Sequence, residues 1–205
     1  MHRRWNGCGG APRSGLAVDG TVSALQTARL VIEPLVATHA RQLFADLQHP
    51  ELYGFIPGEP PESEAVLEAR FTRWEARTSP DGREAWLNWV MRPRDSEAYV
   101  GTIQATIRRD GDALLAYQVF PRFWRQGFAH EGCARVITWL FVECAVGRVV
   151  ADIDTRNVAS IALVESLGFR RVGMKRDADW FKGGPSDEYR YELIKGDWQF
   201  GAAGE

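Results

Sequence analysis

The residues best suited to chemistry in this sequence form one short run, Trp124-Arg125-Gln126-Gly127-Phe128-Ala129-His130-Glu131, between a predicted strand ending at Phe120 and a predicted helix. A small-residue loop that opens a helix gathers unpaired backbone N–H groups and the positive end of the helix dipole at one point. Such a loop suits a phosphate. A P-loop would end in Gly-Lys-Ser or Gly-Lys-Thr, and a dinucleotide fingerprint reads G-x-G-x-x-G; neither spacing occurs here.

A second run follows at residues 157–169 and reads N-x-x-S-x-x-L-x-x-x-L-G-F. Asn157 is a good helix N-cap, Ser160 is then the third helical residue, and Gly168 suits the position just after the helix. This pattern predicts a short, well-bounded helix from Asn157 to Leu167.

Together the two runs resemble the GNAT superfamily of acetyl-coenzyme A (acetyl-CoA) dependent N-acetyltransferases, and within it the branch that includes the ribosomal-protein N-terminal acetyltransferases. The resemblance covers roughly residues 25 to 195, and the paired motifs are far more specific than either alone. One position departs from the family pattern, because Trp124 stands where Gln or Arg is usual. The resemblance implies an α/β (α+β) fold with a mixed, mostly antiparallel central sheet. That sheet would be split at a V-shaped cleft and carry helices on both faces.

The resemblance also implies how the coenzyme is held. The pantetheine arm would lie between the strands that end near Phe120 and Asp154, and its amides would pair with the backbone as an added strand does. A backbone N–H in the same stretch would polarise the thioester carbonyl. The residues expected to bind the coenzyme are Gln118, Val119 and Phe120 for the arm, Arg125, Gln126, Gly127, Phe128, Ala129 and His130 for the pyrophosphate, and Asn157 for the arm at its far side.

Candidate catalytic groups are fewer. The family resemblance makes Ser160 the acid that protonates the departing thiolate, although Asn157 and Ser160 are also ordinary capping residues. Tyr117, Glu33 and Asp154 lie on or near strands expected to face the cleft, and each is a candidate base. An amine stripped of solvent also loses part of its affinity for a proton unaided. Glu131 falls in the first helical turn, where the dipole favours a carboxylate regardless of function.

The acceptor side is expected to be aromatic. Phe55 lies within a Pro- and Gly-rich loop. Trp180 and Phe181 lie beside Gly183 and Gly184 in a second predicted loop, where large apolar residues could cover a substrate. Trp86 and Trp89 are interpreted as core residues. The four histidines give no metal-binding spacing, so no metal is expected.

The elements that must position these residues follow from periodicity and turn signals. A helix carrying Leu43, Phe44 and Leu47 would begin at Thr38, and the apolar face of a second would hold Leu67, Phe71 and Trp74. The motif helix would bury Cys133, Ile137, Leu140, Phe141 and Cys144. The predicted strands are 29–33, 86–91, 100–108, 113–120, 148–154, 169–172 and 188–194, and the predicted helices are 38–47, 63–77, 128–145 and 157–167.

Composition bounds the class of protein. The chain has 205 residues, 45% hydrophobic and 25% charged, which fits one soluble domain at 25–198 with tails at 1–24, predicted disordered, and 199–205. A net charge of −2 gives no reason to expect nucleic-acid binding. No apolar run reaches the ~18 to 20 residues that span a bilayer, and three cysteines without a C-x-x-C pair favour the reducing cytoplasm.

The sequence therefore predicts transfer of acetyl from acetyl-CoA to a primary amine. A protein N-terminal amine is one acceptor class, and a polyamine or aminoglycoside is another. A non-catalytic acyl-CoA-binding sensor is the alternative from a different functional class. The sequence leaves both the acceptor and a homodimer open.

Overall fold

One mixed sheet organises the chain. The computed structural model describes residues 23–199, and its strands are β1 Leu25–Gln26, β2 Leu30–Pro34, β3 Ala85–Pro93, β4 Gly101–Ile107, β5 Asp112–Val119, β6 Arg148–Asp154, β7 Arg170–Phe181 and β8 Gly184–Ile194. The helices are α1 His39–Leu43, α2 Glu64–Glu75, α3 Phe128–Glu143 and α4 Val158–Ser166. The eight strands lie in the order β1-β2-β3-β4-β5-β6-β8-β7. Among the described residues only β5 and β6 pair in parallel.

The sheet splits between β5 and β6. Their pairing runs from Asp112 opposite Arg148 to Leu114 opposite Val150 and then stops, although β5 continues to Val119 and β6 to Asp154. The outer part of β5 stays paired with β4 on its other side, and the outer part of β6 stays paired with β8. The result is the V-shaped cleft that the sequence predicts.

Helices cover both faces of the sheet. Trp89 and Met91 of β3 join the larger core beneath α3 and α4, whereas their neighbour Val90 joins a smaller core beneath α1 and α2. This alternation is that of a strand whose two faces are both buried. The stripe predicted on α3 is buried as expected, apart from the half-buried Cys144.

Gly101 fixes the approach of β4 to β5 where the cleft opens. A Cβ atom at this position would lie 2.1 Å from the main-chain oxygen of Gln118. Any larger residue would therefore push the two strands apart.

The structure corrects two predicted elements. Helix α1 ends at Leu43, and Thr38 makes no capping hydrogen bond with its side chain; instead, His39 Nδ1 accepts the Val36 N–H at 3.0 Å. The predicted loop at 173–187 is wrong, because β7 and β8 form one long hairpin. Pairing register shifts at 171–173 and 175–179 interrupt the alternation along β7, and its exposed, charged residues gave no apolar period to read.

Several sequence predictions concern residues outside 23–199. The tails at 1–24 and 199–205 lie almost wholly there, as does Cys8. Within the described part of the chain, no helix has the length and apolar character needed to cross a membrane.

Candidate active site

A cavity of about 1010 Å³ occupies the open end of the cleft. One side is formed by the ends of β4 and β5, the loop after β5, the first turn of α3 and the first turn of α4. The opposite side is formed by the segment 47–59 and by α2. We call these the donor side and the acceptor side.

The loop 124–130 presents its main chain to the cavity. Arg125 and Gly127 have φ of 60° and 82°, so the chain turns sharply in the left-handed region, which glycine tolerates best, before α3 begins. Among the described residues, none of the six N–H groups from Arg125 to His130 donates to a protein acceptor. Six consecutive free donors at a helix N-terminus are an arrangement that suits an anion.

Arg29 and Thr27, which the sequence reading missed, hold this loop in place. Arg29 Nη1 donates to Gln126 O at 3.0 Å, its Nε donates to Glu131 Oε2 at 2.6 Å, and its guanidinium stacks 4.8 Å from the Phe128 ring centre. The Thr27 hydroxyl donates to Glu131 Oε1 at 2.5 Å. No local motif marks these contacts, which join residues about a hundred positions apart.

Glu131 thus has a structural role, as expected. Partial burial alone would raise the pKa of its carboxyl, but the hydrogen bonds from Thr27 and Arg29 outweigh burial, so the net shift of the pKa is downward. The carboxylate stays charged and ties β2 to the start of α3.

The hydrogen-bond register of β4 and β5 determines which main-chain groups of β5 face the cleft. Arg108 N–H donates to Asp112 O, and Phe120 N–H donates to Val100 O, each at 2.9 Å. These two pairs bracket an uninterrupted antiparallel ladder, in which hydrogen-bonded and non-bonded pairs alternate. Even-numbered residues of β5 therefore direct their main-chain N–H and C=O toward β4, and odd-numbered residues direct theirs toward the cleft.

Val119 is the odd-numbered residue at the end of β5. Its carbonyl accepts the Trp124 indole N–H at 2.5 Å, on the side away from β4. Its own N–H points the same way and has no partner among the described residues. This finding also accounts for the departure from the family pattern at Trp124, whose side chain closes the end of the strand while its neighbours supply the amides.

The start of α4 lies on the other side of the opening. Asn157 Oδ1 accepts the Ser160 N–H at 3.1 Å, which confirms the predicted cap, and both residues line the cavity. The Tyr117 hydroxyl donates to Ser160 O at 3.3 Å, so it bridges β5 and α4 where the strands separate. Burial raises the pKa of the Tyr117 hydroxyl far above its usual value, with a smaller contribution from Cys133. Tyr117 is therefore protonated and is a poor base.

The two carboxylates considered as bases are held by cations and do not line the cavity. Glu33 Oε1 lies 2.9 Å from Arg92 Nη2, and Glu33 is also 4.0 Å from His39 Nε2. Hydrogen bonds from the Arg156 side chain, opposed by burial and aided by Ser186, lower the pKa of Asp154 to about 2. Asp154 therefore stays ionised, and both carboxylates serve as structural partners of the cations that they contact.

Most residues predicted for the coenzyme, and both predicted catalytic residues, meet around the cavity. Those that line it are Tyr117, Gln118, Val119, Arg125, Gly127, Phe128, Ala129, His130, Asn157 and Ser160. Gln126 does not line it, although its N–H belongs to the free series. Phe120 is fully buried in the smaller core, and its N–H is bound to Val100.

The predicted acceptor residues separate into two groups. Phe55 lines the cavity and is 40% exposed. Trp180 and Phe181 lie near the tip of the β7/β8 hairpin and do not line the cavity; Trp180 is 69% exposed. The rest of the acceptor wall comes largely from residues the sequence did not single out for this purpose, namely Leu47, Leu52, Ile56, Leu67, Phe71 and Trp74.

Fold and site together define the class of protein: an acyltransferase in which a split sheet exposes a free strand edge beside a helix start with free N–H groups. Residues 29–170 match the family model described as acetyltransferase (GNAT) domain, and the chain belongs to this family. It is an acetyltransferase.

Three similar proteins illustrate the range of the family. An uncharacterized N-acetyltransferase of Bacillus subtilis, YoaA, is 27% identical over 83% of this chain and 96% of its own. The structure of a ribosomal-protein-S5-alanine acetyltransferase from Vibrio fischeri has a TM-score of 0.75 and 15% identity, covering 86% of this chain and 98% of that one. A spermidine N-acetyltransferase from Vibrio cholerae, solved with CoA and spermine, has a TM-score of 0.71 and 18% identity, covering 82% and 96%. The likeness to the two solved structures shows the fold alone.

Proposed function

We propose that this protein transfers an acetyl group from acetyl-CoA to a primary amine by direct attack of the amine on the thioester. The observation that carries the proposal is that two sets of free donors lie at one cavity: the N–H of Val119 and the six N–H groups of the loop 125–130. The loop amides suit a pyrophosphate, and the free edge of β5 suits an extended arm that carries amides of its own. Acetyl-CoA has both groups, and it supplies the activated acetyl thioester.

Each step then has a residue in this chain. The Val119 N–H would donate to the thioester oxygen as negative charge develops there, an interaction typically worth about 3 kcal/mol. As the amine nitrogen bonds to the carbonyl carbon and the C–S bond breaks, the Ser160 hydroxyl would give a proton to the thiolate. It would regain a proton, through water, from the nitrogen that has become positively charged. Ser160 suits this role because its hydroxyl lines the cavity without a partner among the described residues. Tyr117 would hold Ser160 in place through the carbonyl of that residue.

The amine must lose a proton to attack. Since Glu33 and Asp154 are bound by cations away from the cavity, we propose that water accepts this proton as the amine enters the apolar acceptor side. Burial in such surroundings disfavours the charged ammonium form. Gln104 lines the cavity from β4 and is a polar group suited to order that water.

Two acceptor classes remain candidates, a protein N-terminal amine and a small amine. Relatives sharing the fold include one that acetylates a ribosomal protein and one that acetylates spermidine, judging by their names. The alternative from another class is a sensor that binds acyl-CoA without turning it over.

Release of free thiol from acetyl-CoA, measured across a panel of peptides and small amines, tests the proposal. We expect release with at least one amine, and a loss of about a hundredfold in kcat on Ser160→Ala with little change in the KM for acetyl-CoA. Saturable binding of acetyl-CoA without thiol release on any amine would contradict transfer and favour the sensor.

A further inference from the structure

Among the described residues, the acceptor side of the cavity contains one cation, Arg70, that has no protein partner. Leu67, Arg70, Phe71 and Trp74 of α2 all line the cavity, and their spacing places them on one face of the helix. Arg70 is therefore set within an apolar stripe. It is partly buried, and among the described residues it makes no hydrogen bond or ion pair.

An arginine in this position needs an anion. A guanidinium moved from water into apolar surroundings loses hydration, and it recovers that free energy only by pairing with an acceptor. Its planar fork matches a carboxylate, which it binds through two parallel hydrogen bonds. No carboxylate of the described residues pairs with Arg70, so a ligand carboxylate that enters the cavity can displace the water that hydrates it.

The carboxylates of the cavity do not favour a polycation. The described residues that line it include two carboxylates, Glu51 and Glu59. Glu59 is paired with Lys182 at 2.9 Å, and Glu51 is exposed. A polyamine would place several ammonium groups in a space lined mainly by aliphatic and aromatic side chains, with Arg70 repelling them.

We propose that the acceptor is a primary amine carried on an apolar body that also bears a carboxylate, and that Arg70 binds this carboxylate. The inference rests on the proposed function, since it assigns the acceptor for the same cavity. It names Arg70 as a residue that determines specificity, while the transfer itself is carried by the donor side.

The test uses probes that cannot react. With the donor side saturated by CoA, so that the loop amides are occupied, the affinities of 4-phenylbutyrate and 4-phenylbutyramide are measured by calorimetry. We expect the full-length protein to bind the acid at least about tenfold more tightly than the amide, as a hydrogen-bonded charge pair supplies. Arg70→Gln should abolish this preference. Arg70→Lys should keep part of it and guards against a folding defect in the first variant.

Arg73→Gln is the matched control, because Arg73 lies on the same helix, is exposed and does not line the cavity. Equal affinity for acid and amide, a preference that survives Arg70→Gln, or tighter binding of spermidine than of the acid would each overturn the inference. Failure of CoA itself to bind in the preceding titration would overturn the proposed function, so the two failures are distinguishable.

Discussion

The donor and acceptor sides of the cavity differ in the kind of group that they present, main-chain groups on one side and side chains on the other. The donor side consists largely of main-chain N–H groups, six of them in consecutive residues of one loop and one at the end of β5. The acceptor side consists of side chains from the segment 47–59 and from α2. Under the proposed function, main-chain groups would recognise what every acetyl-CoA molecule shares, whereas side chains can vary with the acceptor. Substitutions on the two sides should therefore affect different kinetic constants.

The largest effect is expected from removing the N–H of Val119. Val119→Pro deletes this donor without breaking the ladder to β4, because the group points to the cleft, and proline is tolerated where no ladder bond is lost. We expect kcat to fall about 100- to 1000-fold while the melting temperature changes little. Thiol release measures kcat, and thermal unfolding measures the melting temperature. Gln118→Pro is the contrast, since its N–H faces β4 and its loss should lower stability first. A Val119→Pro enzyme with unchanged kcat would remove Val119 from the mechanism.

Arg29 should affect only the donor side. Arg29→Met removes the hydrogen bonds to Gln126 and Glu131 that hold the loop, so we expect the KM for acetyl-CoA to rise about tenfold with kcat and the acceptor KM nearly unchanged. Arg135→Met is a fair control, because Arg135 donates to Gln26 O from α3 without touching the loop. An equal rise in the acceptor KM would mean that the two sides are not separable.

Asp154 lies outside the cavity and ties the turn before α4, on the donor side, to β8. Its carboxylate is bound by Arg156 in the turn before α4 and by Ser186 in β8. The folded-state pKa of about 2 lies below the ordinary value of 3.8, so the carboxylate stabilises the fold above about pH 4, and this contribution is lost as the pH falls toward 2. Because Arg156 is half exposed, we expect about 1 to 2 kcal/mol.

Urea unfolding between pH 7 and 2 measures this contribution. Asp154→Asn should have a lower free energy of unfolding than the parent protein at pH 7. Its free energy of unfolding should also fall less steeply as the pH is lowered. Asp152→Asn, which breaks the exposed pair with Arg190, should cost less. If the free energy of unfolding fell equally with decreasing pH in Asp154→Asn and in the parent protein, the role of Asp154 would be refuted.

The smallest effect is expected at the hairpin tip. Trp180→Ala should change the acceptor KM by less than about twofold, since the side chain is 69% exposed and does not line the cavity. Phe55→Ala, on the cavity wall, should raise the same constant roughly tenfold. Steady-state kinetics with a working acceptor measure both. A large effect of Trp180→Ala would restore the sequence-based interpretation that this residue covers the substrate.

The contrast between the two sides also explains how far the sequence could be read. The loop 124–131 and the cap at Asn157 are local: their spacing specifies turn, helix start and free amides, and the structure confirms those elements. The split of the sheet followed from the family resemblance and is confirmed by the end of the β5/β6 pairing at Leu114.

The remaining features depend on contacts between distant segments. Arg29 contacts Glu131 although about a hundred residues separate them in the sequence. No local sequence pattern around either residue predicts this contact. Arg70 looked like an ordinary polar position on α2 until the cavity placed it among apolar side chains. The hairpin of β7 and β8 escaped prediction because register shifts and exposed charges obscure the strand period.

Titration of CoA into matched glycine variants tests the central claim most directly. Gly127 and Gly82 both have positive φ, 82° and 66°, so a tryptophan strains the backbone similarly at each. At Gly127, however, a Cβ would already lie 3.2 Å from Arg29, and the side chain would cover the loop amides, whereas Gly82 faces open space. We predict that Gly127→Trp weakens CoA binding by about a hundredfold or more while Gly82→Trp binds like the parent protein. Equal affinity of the Gly127→Trp variant and the parent protein would contradict the assignment of this loop as the coenzyme site.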